Sequence, residues 1–171
     1  MSEQLRRILV GGVGYTCLTD LSFGTVLIDK LKAMSWPPNV QIEDMSYSPV
    51  AAVQKFREEH YDKLILVSAT KRNREPGQLY SFRPDGRLPP PEDIQLRVGE
   101  AVTGTISLDN LLIICQFFGA LPPDVVVIEV EPVSEDWGLE FTPDIQAQVE
   151  KAIALVQREV ELFSPASPRL Q

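Results

Sequence analysis

The feature that most constrains this chain is the stretch from Arg6 to Gly24, RRILVGGVGYTCLTDLSFG. An apolar run, Ile8-Leu9-Val10, passes into a glycine cluster at Gly11, Gly12 and Gly14. A short polar loop and Asp20 follow, and then apolar residues recur at helical spacing. That order predicts a strand, a tight turn and a helix N-terminus. An apolar run without alternation marks a strand buried on both faces, as in the centre of a parallel sheet. In open sheets of that kind, sites form where strands end at their carboxyl edge and helices begin. The opening segment therefore points both to a fold class and to the place where chemistry would sit.

The rest of the chain repeats the alternation. The first strand is read from Arg7 to Val13 and the first helix from Asp20 to Met34, with Phe23, Leu27 and Leu31 on one face and Trp36-Pro37-Pro38 as its stop. A second strand spans about Val40 to Asp44, and Ser48-Pro49 opens a helix reaching Glu59. YDKLILVS, from Tyr61 to Ser68, is a buried strand; Gln78 to Phe82 is a short strand suited to an edge hairpin. Arg83 to Thr105, with Pro89-Pro90-Pro91 inside it, is the least regular part and reads as a long loop. Ser107 to Phe118 is a helix with Leu111, Ile114, Cys115 and Phe118 on its apolar face, closed by Gly119. Asp124 to Glu131 is a strand. A last helix runs from the cap Thr142 and Pro143 to Phe163, with Ile145, Val149, Ile153, Val156 and Val160 facing the core. The expected architecture is α/β: a three-layer α/β/α sandwich around a mostly parallel twisted sheet of about five strands with one antiparallel edge strand, in the phosphorylase/hydrolase-like manner.

Composition narrows the class. At 171 residues the chain fits one domain, 1–163, followed by a tail, 164–171 (SPASPRLQ), expected to be disordered. No apolar run is long enough to span a membrane, and MSEQLRR enters the first strand without a signal-peptide pattern. Cys17 and Cys115 make neither a metal-ligand spacing nor a disulfide framework, so a reducing cytoplasm is the expected compartment. A net charge of -8 argues against non-specific nucleic-acid binding and allows a basic protein partner.

Several chemistries can be weighed on the residues. Gly12-Val13-Gly14 offers G-x-G, but Cys17 stands where a dinucleotide fingerprint has its third glycine, so the glycines read as a backbone device. There is no G-x-S-x-G elbow. The single histidine, His60, sits before a strand, at the wrong end for a carboxyl-edge site. Asp20, Asp44 and Asp109 fall near strand-to-helix edges. They could hold a hard cation such as Mg²⁺, or Asp20 and Asp109 could serve as helix-start residues favoured by capping and the dipole.

Together these motifs resemble the hydrogenase maturation proteases, nickel-dependent endopeptidases that trim the C-terminal tail of the large subunit of nickel–iron hydrogenases. The resemblance covers nearly all of the folded chain: ILVGGVGYTCLTDLSFG, Glu43-Asp44, the strand ending Val67-Ser68-Ala69, Pro76-Gly77, Phe118 to Pro122, Val125 to Pro132, Gly138-Leu139 and Thr142-Pro143. It implies a metal held by an acidic residue, an Asp and a His at the positions of Leu21, Ser68 and about Gly104, and it implies that this metal belongs to the substrate. None of the three side chains can replace its ligand. The family's Asn is Tyr15 here, and its Asp-Gly-Gly turn is Asp44-Met45-Ser46. The expectation is a degenerate, non-catalytic relative without cofactor. It would keep a remnant cleft at Gly12, Gly14, Tyr15, Asp20 and Asp44, with the polar loops KRNREPG and Arg83 to Glu100 around it. Its partner would be a hydrogenase large subunit or a homologue. The alternative is a working endopeptidase on the large-subunit precursor, for which nickel would matter.

Overall fold

The apolar Ile8-Leu9-Val10 run lies in β1 (Ile8–Val13), which pairs in parallel with β2 (Val40–Asp44) on one side and β3 (Lys63–Ala69) on the other. Beyond β3 come β4 (Leu79–Phe82) and β5 (Asp124–Val130); β5 is parallel to β3, and β4 closes the edge antiparallel to β5, giving the order β2-β1-β3-β5-β4. The computed structural model describes residues 5–163, so the tail expected over 164–171 lies outside the described residues. The sheet matches the expectation of a mostly parallel sheet with one antiparallel edge. The short strand is not a hairpin partner of the strand before it, however, because it reaches over β5 to pair on its far side.

Strand periodicity sorts the core into two layers, since alternate side chains point to opposite faces. Ile8, Val10, Ile65, Val67, Val126 and Ile128 pack with α1 (Phe23–Lys32) and α6 (Val149–Phe163). Leu9, Val13, Leu64, Leu66 and Val127 pack on the other face with α2 (Pro49–Glu59) and α4 (Leu108–Phe117). The two glycines after Val10 are not turn residues: Gly11 and Gly12 stay inside β1. A Cβ on Gly12 would come within 2.4 Å of the Gly24 carbonyl oxygen, and one on Gly24 within 2.3 Å of the Val13 carbonyl oxygen. Their absence lets the first turn of α1 lie directly on the end of β1.

Four expectations need correction. The first helix is preceded by a separate 3-10 turn, Thr19–Ser22, so Asp20 does not cap it. The triple-proline segment is not a long loop: Pro91 is the first residue of α3 (Pro91–Val102), none of whose residues is fully buried. Proline at a helix's first position lacks only an N–H that would have no intrahelical partner, which is why the run starts a helix instead of preventing one. Phe118 lies outside the core, 45% exposed. The last helix is split into α5 (Pro143–Gln146) and α6, and Thr142 makes no side-chain cap; its hydroxyl bonds to Asp20. Ser107 does cap α4, accepting from the Asn110 N–H at 3.1 Å. Cys17 is exposed and Cys115 buried, both as free thiols. Among the described residues no helix is long and apolar enough to cross a membrane.

Candidate functional site

The order β2-β1-β3 makes the sheet reverse its direction of growth between β1 and β3, and the crevice at such a reversal is where open α/β sheets bind ligands. A cleft of about 230 Å³ lies there. Its walls are the chain leaving β1 (Val13, Gly14, Tyr15), the chain leaving β3 (Ser68 to Lys71), Leu21, the start of α4 (Ile106, Ser107, Leu108) and Glu135. The loop after β1 is held in shape by Ser46, whose Oγ accepts from the Gly14 N–H at 3.0 Å, and by the Leu21 carbonyl, which accepts from the Tyr15 N–H. The segment corresponding to Asp44-Met45-Ser46 thus supports the cleft from behind; buried Met45 fills the space above Gly11.

Of the three positions at which the resemblance places metal ligands, two meet. Leu21 and Ser68 both line the cleft. The Ser68 side chain is buried and its Oγ donates to the Val13 carbonyl at 2.9 Å, so its proton is already engaged. Gly104 does not reach the cleft. It ends α3 with φ +85°, exposed, and nothing lies within 4 Å of where its Cβ would be. Ile106 and Ser107 occupy the stretch of wall that Gly104 was expected to supply. Gly14 and Tyr15 are cleft residues, whereas Gly12 is covered by α1 and Asp44 is exposed, accepting from the Ser46 N–H. His60 lies before the first residue of β3, at the opposite end from Ser68. Among the described residues no group of three or more His, Cys, Asp or Glu is placed to hold a metal ion together.

The acids near this edge have other partners. Asp20 is fully buried and neither caps a helix nor faces the cleft. Its Oδ2 accepts from the Val133 and Ser134 N–H groups at 2.9 Å each, and its Oδ1 from the Thr142 N–H at 2.9 Å; the Thr142 hydroxyl donates to it as well. Asp20 therefore ties the opening segment to the loop before α5. Glu129 and Glu131, at the end of β5, are buried and paired with the loop from β3 to β4. Arg72 Nε reaches Glu129 at 2.6 Å, Arg74 Nη2 reaches Glu129 at 2.8 Å and Arg74 Nε reaches Glu131 at 3.1 Å. Asp109 bonds the other side of Arg72 at 2.9 Å. Burial works against the Arg72 charge, but its bonds to Glu129 and Asp109 outweigh it and hold that guanidinium above its ordinary pKa. The KRNREPG loop, expected from the sequence as a polar loop around the cleft, is thus folded down on carboxylates. Only Lys71 of its basic residues lines the cleft, where it pairs with Glu135 at 3.1 Å.

Sequence reasoning placed the loop that begins at Lys71 around the cleft but missed Glu135, Ile106 and Ser107 as cleft residues. The cap at Ser107 was legible, and it carried the signal that the chain enters α4 beside the strand ends. A second cleft, of about 390 Å³, lies between the chain after β4 and α4, lined by Arg72, Phe82, Arg83, Asp109 and Leu112 among others. Its inner charges, Arg72 and Asp109, already neutralise each other. Burial pushes the Cys115 thiol up to about 12, and it faces the core away from the cleft.

Comparison with known proteins gives one consistent family. The sequence model of HycI, hydrogenase maturation protease, matches residues 26–159, a span that starts inside α1, beyond the glycine-rich opening. The hydrogenase maturating endopeptidase HybD from E. coli is similar at 25% identity and a TM-score of 0.69, over 90% of this chain and 91% of that one. The hydrogenase 2 maturation peptidase from Thaumarchaeota archaeon SCGC_AB-539-E09 shares 28% identity at a TM-score of 0.63, over 92% of this chain and 99% of that one. The NiFe hydrogenase maturation protease HycI from Thermococcus kodakarensis has the same fold at 20% identity and a TM-score of 0.61, over 92% and 94% of the two chains. Among curated proteins none matches this chain.

Proposed function

Because this chain belongs to the hydrogenase maturation protease family, we propose that it is a non-catalytic assembly or binding factor for a nickel–iron hydrogenase large subunit or a related protein. The observation that carries this reading is the donor chemistry of the cleft. Leu21 brings a hydrocarbon and Ser68 a neutral hydroxyl engaged with backbone. The third wall brings Ile106 and the capping Ser107, with Gly104 outside. Nickel is bound by deprotonated or imidazole ligands of matched type and geometry, and these side chains do not fit it. Nickel enters only as part of the substrate. Two free cysteines and a net charge of -8 accord with a reducing cytoplasm and a protein partner in place of a nucleic acid.

The test of binding is gel filtration of the purified protein mixed with a nickel-loaded large-subunit precursor. The reading expects a stable complex, and separate elution of the two would overturn it. A second reading, an active endopeptidase that removes the precursor's C-terminal tail, is favoured by the persistence of a cleft at the sheet's reversal with the hydroxyls of Tyr15, Ser68, Thr70 and Ser107, and with Lys71 and Glu135, in its wall. It requires tail release, which mass spectrometry of the same mixture detects.

A further inference from the structure

The loop between β5 and α5 carries two large apolar side chains that stand mostly in solvent. Trp137 is 85% exposed and Leu139 81% exposed, the largest apolar exposures in the loop. Exposed side chains are common on mobile loops, but this loop is fastened on both sides of Trp137. The Thr19 hydroxyl donates to the Asp136 carbonyl at 2.5 Å, the Gly138 N–H donates to the Cys17 carbonyl at 3.0 Å, and the Thr19 N–H donates to the Gly138 carbonyl at 3.1 Å. Leu18 and Gly138 form a parallel bridge, and buried Asp20 holds Val133, Ser134 and Thr142 from beneath. A tryptophan held in water by a pre-ordered backbone is the arrangement that binding energetics favour for an anchor. Little ordering entropy remains to be lost, and a large aromatic surface remains to be buried. Glu135, at the cleft wall, precedes the pair on the same loop, so a partner seated on the anchor lies beside the cleft.

We propose that Trp137 and Leu139 are a docking anchor that inserts into an apolar pocket of a partner polypeptide, with Asp136 and Glu140 meeting basic side chains around that pocket. The acidic flanks choose the occupant. They oppose nucleic acid and anionic lipid and complement a basic protein surface, in keeping with the chain's net charge of -8. The proposal rests on the binding-factor reading above and names where the partner sits.

The experiment measures affinity for a nickel-loaded large-subunit precursor with the full chain, its Trp137→Ala/Leu139→Ser variant, Glu140→Lys, and a control, Leu162→Ser, an exposed apolar residue of α6. Circular dichroism and thermal melting establish that each variant folds like the parent. The double variant is expected to bind about tenfold or more weakly. Glu140→Lys is expected to bind more weakly at low salt, with the difference shrinking at high salt, and the control to bind like the parent. Unchanged affinity of the double variant overturns the anchor while leaving the binding-factor reading intact. Absence of binding by the parent chain overturns that reading and the anchor with it. If the parent binds vesicles of phosphatidylglycerol through Trp137 and the precursor without it, the occupant is a membrane and the proposal is wrong.

Discussion

The cleft beside β1 and β3 and the ion-pair cluster beside β5 share one edge of the sheet, and they use polarity in opposite ways. Val13, Ser68 and Glu129 are register partners on three adjacent strands. On β3 this row offers a hydroxyl bonded to the neighbouring strand's carbonyl; one strand over, it offers a carboxylate gripped by two guanidinium groups. Negative charge is plentiful at this edge, but each buried acid is fully occupied in holding a loop: Asp20 the 133–142 loop, and Glu129 and Glu131 the β3–β4 crossing. A site for a cation needs acids aimed into open space. Here the acids are structural and the open space is lined by hydrocarbon, hydroxyls and one exposed Lys71–Glu135 pair.

Giving the cleft the donors it lacks is expected to have the largest effect. The triple variant Leu21→Glu/Ser68→Asp/Ile106→His is expected to bind nickel in calorimetry where the parent is expected to show no binding, because three donors then face one space. Placing the histidine instead by Gly104→His should restore less or nothing. Equal gains from both histidine placements would show that the third wall is wrongly identified. Next in size, Asp20→Ala leaves buried donors on two segments without an acceptor. It should cost about 3 kcal/mol or more in urea unfolding, and a loss near zero would mean that the loop anchoring is misread. Glu129→Ala should cost about 2 kcal/mol, less than a fully buried pair would, because Arg72 and Arg74 retain contact with water.

The far end of the sheet supplies a pH test. Burial pushes the Asp124 carboxyl up, but Lys63 and Arg83 outweigh it and hold it below its ordinary 3.8. A carboxyl depressed in the folded state contributes stability that is present above that ordinary value and lost as pH falls from there through the folded value. Denaturation as a function of pH should therefore show stability falling as the medium is acidified below 3.8, and Asp124→Asn should remove that part of the slope. Smallest of all, Lys71→Ala should change stability by less than about 0.5 kcal/mol, since its pair with Glu135 is exposed.

The layers of the fold were legible because apolar runs and caps are local signals: Ile8-Leu9-Val10, Leu64 to Val67 and Ser107 each declare an element without knowledge of its neighbours. What the residues hid was long-range. Nothing near Asp20 in sequence says that its acceptors will be met by Val133, Ser134 and Thr142, more than a hundred residues away, so it reads as a helix-start residue or a ligand. KRNREPG reads as a solvated polar loop because its partners lie far along the chain, Glu129 inside β5 and Glu131 just after it. The prolines at 89–91 carry two meanings, loop and helix start, and only the packing of α3 beside α4 decides between them. In the candidate site, Leu21 and Ser68 were found through the resemblance, while Ile106 needed the geometry, since the approach to α4 sets which residue of 104–107 turns inward.

On the proposed binding-factor reading, this family member would hold its partner without cutting it. Intact-mass spectrometry of a nickel-loaded large-subunit precursor, incubated with an excess of this protein, tests that claim directly. The expected result is a precursor mass unchanged over the full incubation while the two proteins remain in complex. Appearance of a shortened large subunit together with its released C-terminal peptide, absent when this protein is omitted, would contradict it.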